Sequence, residues 1–151
     1  MADFSEIPWI REHIALYRSD PEKAHLWDST PLGGPGLLPT LLLTTRGRKS
    51  GESRALPLIY GRLPGKAGDS YVVIASKGGM PNHPLWFRNL EADPSCELQV
   101  GPKQVTARAR VAEGDERERI WKQMVEIYPP YVDYQKNTKR TIPVVVLDPV
   151  D

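Results

Sequence analysis

The chain has little cysteine, almost no net charge and no long apolar segment. Among its 151 residues Cys96 is the single cysteine, which excludes an internal disulfide. Its 20 lysines and arginines nearly balance 19 acidic residues, and a net charge of +1 argues against a nucleic-acid partner. No segment reaches the ~20 apolar residues of a membrane span, and the opening MADFSEIPWIREH lacks the apolar core of a signal peptide. We therefore expect a cytoplasmic protein.

The N-terminal part of the sequence is predicted to differ from the rest. Apolar residues recur near helical spacing from Pro8 to Tyr17, which predicts an amphipathic helix within an N-terminal segment, residues 1–28. Residues 29–40 are dense in glycine and proline and are predicted as a loop at the start of the main domain, residues 29–151. The helix could pack on the main domain, where it could cap an apolar site, or it could touch a membrane surface, although its polar face lacks the dense lysine and arginine of a membrane binder.

The main domain is predicted to be rich in strands. Branched and aromatic residues mark strands at 41–45, 55–60, 71–76, 96–100, 104–112 and 141–150. One helix should begin near Pro84, with Asn82 or His83 as its N-cap. A second helix is expected over residues 115–128. Because most strands are joined by turns, including one at 63–70, the pattern favours an antiparallel α+β barrel over a parallel sheet with helical crossovers.

The segment TTRGRKSGESR, residues 44–54, concentrates positive charge at the tip of a predicted hairpin. Arg48, Lys49 and Arg54 surround glycines and Ser50. Arginine forks onto phosphate oxygens and glycine lets backbone N–H groups approach an anion, so this tip could bind a phosphate. It does not match the GxxxxGK[ST] phosphate-binding sequence, and solvated hairpin tips often have the same composition. These residues alone leave both interpretations open.

Two other segments have residues suited to a ligand. Ser76 and Lys77 follow a buried strand and precede two glycines and a helix, so N–H groups there could face a flat, electron-rich molecule. A glycine-rich connector would have the same sequence. Near a pair of prolines, Tyr128, Tyr131 and Tyr134 straddle the end of a helix. They could line a pocket or fill the core.

Three segments together resemble the deazaflavin-dependent nitroreductase family. In order, they are LLLTTRGRKSGESRALPL (41–58), YVVIASKGGMPNHPLWFRNLEADP (71–94) and YPPYVDYQKNTKRTIPVVVLDP (128–149). The resemblance implies a split β-barrel that binds coenzyme F420, an 8-hydroxy-5-deazaflavin. It also implies an oxidoreductase that transfers hydride from reduced F420 to a flat hydrophobic acceptor. We expect a quinone as the physiological acceptor, and nitroaromatics or conjugated enones and lactones as further acceptors.

The resemblance also assigns roles to residues of this chain. The hairpin would hold the phosphate and acidic tail of F420 through Arg48, Lys49, Ser50 and Arg54. The deazaflavin ring would be lined or covered by Ala75, Ser76, Lys77, Met80, Pro84, Leu85 and Trp86. The hydroxyl groups that could donate a hydrogen bond or a proton to the acceptor are those of Ser76, Tyr128, Tyr131 and Tyr134. No metal is implied.

Two alternatives follow from the same residues. The first is a related split-barrel oxidoreductase that uses FMN, whose single phosphate needs fewer cations than an acidic tail. The second is a protein that binds or carries the deazaflavin without turnover. Either would keep the fold, and neither the oligomeric state nor the acceptor is decided by the residues.

Overall fold

An antiparallel sheet with helices around it makes up the described part of the chain. The structure is a computed structural model, and it describes residues 7–65 and 68–150. The helices are α1 (Pro8–Ser19), α2 (Pro21–Ala24), α3 (Leu85–Ala92), α4 (Gly114–Ile127) and α5 (Tyr131–Lys136). The strands are β1 (Leu26–Asp28), β2 (Leu37–Arg46), β3 (Ser53–Ile59), β4 (Gly61–Leu63), β5 (Ser70–Ile74), β6 (Ser95–Val100), β7 (Lys103–Val111) and β8 (Val144–Pro149). Short 3₁₀ turns cover Thr30–Leu32 and Lys77–Gly79.

Small parts of the sequence predictions lie outside the described residues. They are residues 1–6 of the N-terminal segment, residues 66–67 of the turn at 63–70, and residue 151 at the end of the main domain. The division of the chain at residue 28 stays a prediction.

One continuous segment links the two ends of the sheet. The paired strands run antiparallel in the order β1-β2-β6-β7-β8-β5-β4, and β3 pairs with β2. Only Tyr60 separates β3 from β4, so residues 53–63 pair with β2 through their first half and with β5 through their second. The strands between them thus curve around a common interior. The predicted α+β split β-barrel, mostly antiparallel with flanking helices, is confirmed.

The predicted hairpin is confirmed, but the loop before it is shorter than expected. β2 and β3 pair up to Arg46 opposite Ser53, which puts the basic residues at the tip. The prediction of a loop over residues 29–40 is wrong for residues 37–40. They belong to β2, which begins at Leu37 and pairs there with β1. Pairing in the folded chain overrides the local preference of glycine and proline for turns.

The start of α3 also differs from the prediction. The helix begins at Leu85, and Pro84 takes the N-cap position with extended backbone angles. No side chain caps the helix, so the expected cap by Asn82 or His83 is wrong. The fixed φ of proline stabilises this entry into the helix without a side-chain cap.

Successive side chains of the central strands point to opposite faces of the sheet and form two apolar layers. In β8, Val145 and Leu147 belong to the cluster inside the barrel, whereas Val144 and Val146 pack with residues of α4 outside it. A strand buried on both faces has a continuous apolar sequence, as observed here. Full burial of each such side chain stabilises the fold by roughly 1.5–3 kcal/mol.

Helix α1 packs on the barrel through buried polar contacts. Tyr17 is fully buried, and its hydroxyl donates to the carbonyl oxygen of Thr40 and accepts from the N–H of Gly101 at 3.2 Å. Burial lowers the pKa of His13, whose Nε2 lies 2.9 Å from the carbonyl oxygen of Ala24. The neutral ring therefore donates from Nε2. These contacts make α1 a wall of the barrel.

No helix in the described ranges has the length and apolar character to cross a membrane. The described helix α1 packs on the barrel, which is the plainer of the two roles that its sequence allows. Contact between α1 and a membrane surface stays a prediction.

We predict that Tyr17→Phe lowers the free energy of unfolding by about 1–3 kcal/mol, because it leaves two buried backbone groups without their partner. Urea unfolding followed by tryptophan fluorescence measures this loss. Tyr71→Phe is the matched control, since Tyr71 is also a buried barrel tyrosine but lines an open cleft at another part of the barrel. Equal losses from the two variants would contradict the structural role of the Tyr17 hydroxyl.

Candidate functional site

A pocket of about 340 Å³ lies where several elements of the fold meet. One wall comes from α1 and β1, where Trp9 and Trp27 stack with ring centroids 5.7 Å apart. The other walls are the end of β3 (residues 56–59), the turn after β5 (residues 76–78), and the corner between α4 and α5. Trp86 of α3 also lines the pocket. Most of these side chains are apolar or aromatic, so the pocket suits a flat hydrophobic molecule.

Three tyrosines form the wall at the corner between α4 and α5. The hydroxyl oxygens of Tyr128 and Tyr134 are 2.7 Å apart, within hydrogen-bond distance. Burial raises the pKa of Tyr128 and of Tyr131, so both phenols keep their protons at neutral pH. The three rings pack in the cluster beside α4 and also face the pocket. The three tyrosines therefore line the pocket and also fill the core, the two roles that the sequence left open.

The turn after β5 has an unusual backbone. Lys77 has a φ of 47° and is the only non-glycine residue with positive φ in the described ranges. Gly78 and Gly79 follow with φ angles of 62° and 81°. A Cβ atom at Gly79 would lie 2.5 Å from the carbonyl oxygen of Tyr134, so only glycine allows this close packing. The turn and the tyrosine corner are thus in direct contact.

Arg140 connects these two walls, and the sequence analysis missed it. Its Nε donates to the carbonyl oxygen of Met80 at 2.9 Å, and its Nη2 donates to that of Ser76 at 2.7 Å. Its Nη1 donates to the carbonyl oxygen of Ala75 at 3.1 Å and lies 2.9 Å from Nδ1 of His83. In the sequence Arg140 stands in the polar run NTKRT, which is typical of a solvated loop. No local signal could have revealed partners some sixty residues away.

The contact with Arg140 decides the protonation of His83. A guanidinium group only donates, so Nδ1 of His83 must accept and the ring proton resides on Nε2. Burial and the nearby charges of Arg140 and Arg88 lower the pKa of His83, which keeps the ring neutral. Burial and Arg140 also lower the pKa of Lys77. Positive charge is therefore concentrated behind the turn.

The basic hairpin tip lies beyond the pocket along β3. A buried amide, Asn89 of α3, accepts from the N–H of Arg48 at 3.1 Å and donates to the hydroxyl of Thr45 at 3.0 Å. Arg54 pairs with Glu52 at 3.4 Å, an exposed contact that contributes little to stability. With ~3.3 Å per strand residue, the tip is roughly 13 Å from the β3 residues that line the pocket.

The structure places most of the predicted site residues on two surfaces, with seven of the fourteen in the pocket. Those that line the pocket are Ser76, Lys77, Pro84, Trp86, Tyr128, Tyr131 and Tyr134. Those on the exposed hairpin tip are Arg48, Lys49, Ser50 and Arg54. The hairpin tip and the pocket form two separate surfaces, and a cofactor with a ring and a long acidic tail could bridge them.

Three predicted residues do not line this pocket. Ala75, directly after β5, is fully buried in the barrel interior, where it belongs to the same apolar cluster as Val73. Met80 is half exposed beyond the turn, and Leu85 lies on a more exposed side of α3 than Trp86. Contacts of these three residues with a cofactor stay a prediction. Conversely, the sequence allowed the N-terminal helix to cap an apolar site but did not single out Trp9, because an amphipathic pattern does not specify what each apolar residue covers.

Comparison with known proteins agrees with this arrangement. Residues 9–149 match the family described as F420H(2)-dependent quinone reductase. An F420H(2)-dependent quinone reductase of Mycobacterium tuberculosis is 43% identical over 116 residues, which cover 75% of each chain. A solved F420-H2 dependent reductase is 45% identical, with a TM-score of 0.63 over 72% of this chain and 93% of that one. A structure described as a domain-swapped dimer is 39% identical, with a TM-score of 0.67 over 93% of this chain and 98% of that one.

The names of the matched family and relatives specify reduced F420 as the reductant. They confirm the enzyme class and the cofactor that the resemblance implied. The family match spans nearly the whole described chain, including most of α1, the hairpin tip and the pocket residues from Trp9 onward. This chain therefore belongs to the F420H(2)-dependent quinone reductase family.

Proposed function

We propose that this protein reduces quinones with hydride from reduced coenzyme F420. The observation that carries the proposal is the apolar pocket that Trp86 and three tyrosines line, with few polar groups, in a chain of this family. Its volume of about 340 Å³ suits a small flat molecule. An apolar site of this kind discriminates weakly among flat acceptors, because hydride transfer depends chiefly on proximity and orientation. Nitroaromatics and conjugated enones or lactones are proposed as secondary acceptors.

The residues present fit F420 on two surfaces. The aromatic pocket provides contact for the deazaflavin ring, and Arg48, Lys49 and Arg54 provide cations for its phosphate and acidic tail. Ser50 and the backbone of the hairpin tip add hydrogen-bond donors. When bound, reduced F420 supplies the hydride. The protein's contribution is to hold the reacting groups together in a pocket with few polar groups.

Reduction of a quinone to a hydroquinone consumes a proton as well as a hydride. The adjacent hydroxyls of Tyr128 and Tyr134 are protonated donors on the pocket wall. One hydroxyl can donate to the oxygen of the acceptor, and the second hydroxyl can donate to the first. Ser76 offers another hydroxyl, on the turn after β5. We assign the main role to the tyrosine pair, because its two hydroxyls are already coupled by a hydrogen bond.

The direct test is to titrate the purified protein separately with oxidised F420, FMN and NADPH, and then to supply reduced F420 with a soluble quinone. We expect selective binding of F420, which is measured by the quenching of tryptophan fluorescence. We also expect quinone-dependent oxidation of reduced F420. Preference for FMN would support the FMN-dependent alternative. Binding of F420 without turnover of any acceptor would support the carrier alternative and contradict the proposal.

Removing two hairpin cations should weaken cofactor binding. We expect Arg48→Ala with Lys49→Ala to raise the dissociation constant of F420 by about 100-fold, because each of the two lost charge-assisted contacts is worth ~1.5 kcal/mol. The melting temperature should stay within a few degrees, since both side chains are exposed. The control is Arg119→Ala with Lys122→Ala, which removes two exposed charges from α4. Equal affinity in the two double variants would contradict the hairpin assignment.

Removing a pocket hydroxyl should slow turnover without loss of cofactor binding. We expect Tyr134→Phe and Tyr128→Phe to lower kcat/KM for a quinone by about 10-fold or more, because each removes a donor used as charge develops on the acceptor. The dissociation constant of F420 should change by less than about two-fold, since its tail contacts are intact. Tyr60→Phe is the control, because that buried tyrosine bonds to His25 and lies outside the pocket. Turnover equal to that of the control would exclude the tyrosine pair.

A further inference from the structure

We propose that Arg140 is a positioning residue that holds the turn at residues 76–78 as a binding site for an anionic oxygen. This inference rests on the proposed function, because the oxygen belongs to the flat ring of either the cofactor or the acceptor. It assigns a role to a residue that does not line the pocket.

The first observation is the direction of the peptide groups. Arg140 holds the carbonyl oxygens of Ala75 and Ser76 on its own side of the turn. In a planar trans peptide the N–H points away from the preceding carbonyl, and the described ranges contain no cis peptide bond. The N–H groups of Ser76 and Lys77 are therefore directed away from Arg140. These two residues line the pocket.

The second observation is the sequence of backbone conformations. Ser76 is right-handed, with φ of −78° and ψ of −41°, and Lys77 and Gly78 have positive φ. A right-handed residue followed by a left-handed one turns successive N–H groups toward a common point, which is a known way to bind an anion. All three residues line the pocket. The turn thus has the backbone form of an anion site on the wall that faces the ligand.

The third observation is the charge behind the turn. Among the ion pairs of the described residues, none joins Arg140 to a carboxylate, and its guanidinium bonds to carbonyl oxygens and to neutral His83. Lys77 and Arg88 add positive charge nearby, while Glu91 is paired with Arg88 on the exposed face of α3. Arginine is suited to this role, because one planar group with five donors can hold several carbonyls at once. Lysine cannot reproduce that arrangement.

The test compares Arg140→Ala and Arg140→Lys with a control, Arg88→Ala. The control removes a positive charge from the same neighbourhood but leaves the bonds to the turn intact. Three quantities are measured: the amide chemical shifts of residues 76–78 in ¹⁵N-labelled protein, the dissociation constant of oxidised F420, and kcat and KM for a soluble quinone. Guanidinium chloride at millimolar concentration is added to each variant as a chemical rescue.

We expect the amide shifts of residues 76–78 to change in both Arg140 variants and not in Arg88→Ala. We expect kcat to fall by about 10- to 100-fold in Arg140→Ala, the scale for a misplaced or lost oxyanion donor. Guanidinium should restore part of this loss, which a general loss of stability would not allow. If Arg140→Ala does not fold, Arg140→Lys carries the same test, because it keeps the charge and loses the fork.

The affinity measurement identifies which oxygen is bound. A dissociation constant for F420 that rises in parallel with the loss of kcat/KM assigns the oxygen to the cofactor ring. An unchanged constant with a lower kcat assigns it to the acceptor. Unchanged amide shifts, or equal effects of Arg140→Ala and Arg88→Ala on kcat, would overturn the proposal. Wild-type protein that neither binds F420 nor reduces quinones would instead overturn the proposed function, and the amide shifts would still decide whether Arg140 holds the turn.

Discussion

The fold depends on the double pairing of the segment 53–63. Its first half hydrogen-bonds to β2 and its second half to β5, so this segment closes the barrel and also carries residues 56–59 of the pocket. The hairpin tip at its start carries the cations. A strand cannot shift its register by one residue without moving every side chain to the opposite face. The distance between the hairpin tip and the pocket is therefore set by backbone pairing.

The pocket walls formed by the turn after β5 and by α5 are positioned by contacts between elements that are distant in the sequence. Arg140 binds three carbonyls of the segment after β5, and Gly79 lets that segment lie directly against α5. The tyrosine hydroxyls and the turn therefore keep a constant separation. Rigid placement of this kind matters for hydride transfer, because a small misplacement of the reacting groups costs a large factor in rate.

Polar groups are few in the pocket, and most have a defined partner. Tyr128 bonds to Tyr134, and His13 bonds to the backbone carbonyl of Ala24 in α2. The remaining wall is aromatic or aliphatic, with Trp9 of α1 stacked on Trp27 of β1. In the proposed function, such a site supplies orientation and a few directed hydrogen bonds to a flat acceptor. The basic hairpin is proposed to bind the charged tail of the cofactor.

Local patterns in the sequence were sufficient for the strand-rich fold, the basic hairpin and the tyrosine segment, because alternation, turn residues and helix breaks depend on neighbours in the chain. The cofactor was predicted from the resemblance of three segments to a known family. The tertiary structure alone decided that Leu37 begins a strand, that α1 forms a pocket wall, and that Ala75 faces the interior. It also decided the contacts of Arg140, whose partners lie 57 to 65 residues away. Such contacts cannot be predicted from spacing along the chain. They form only when the closed barrel brings the end of β5 beside the segment that follows α5.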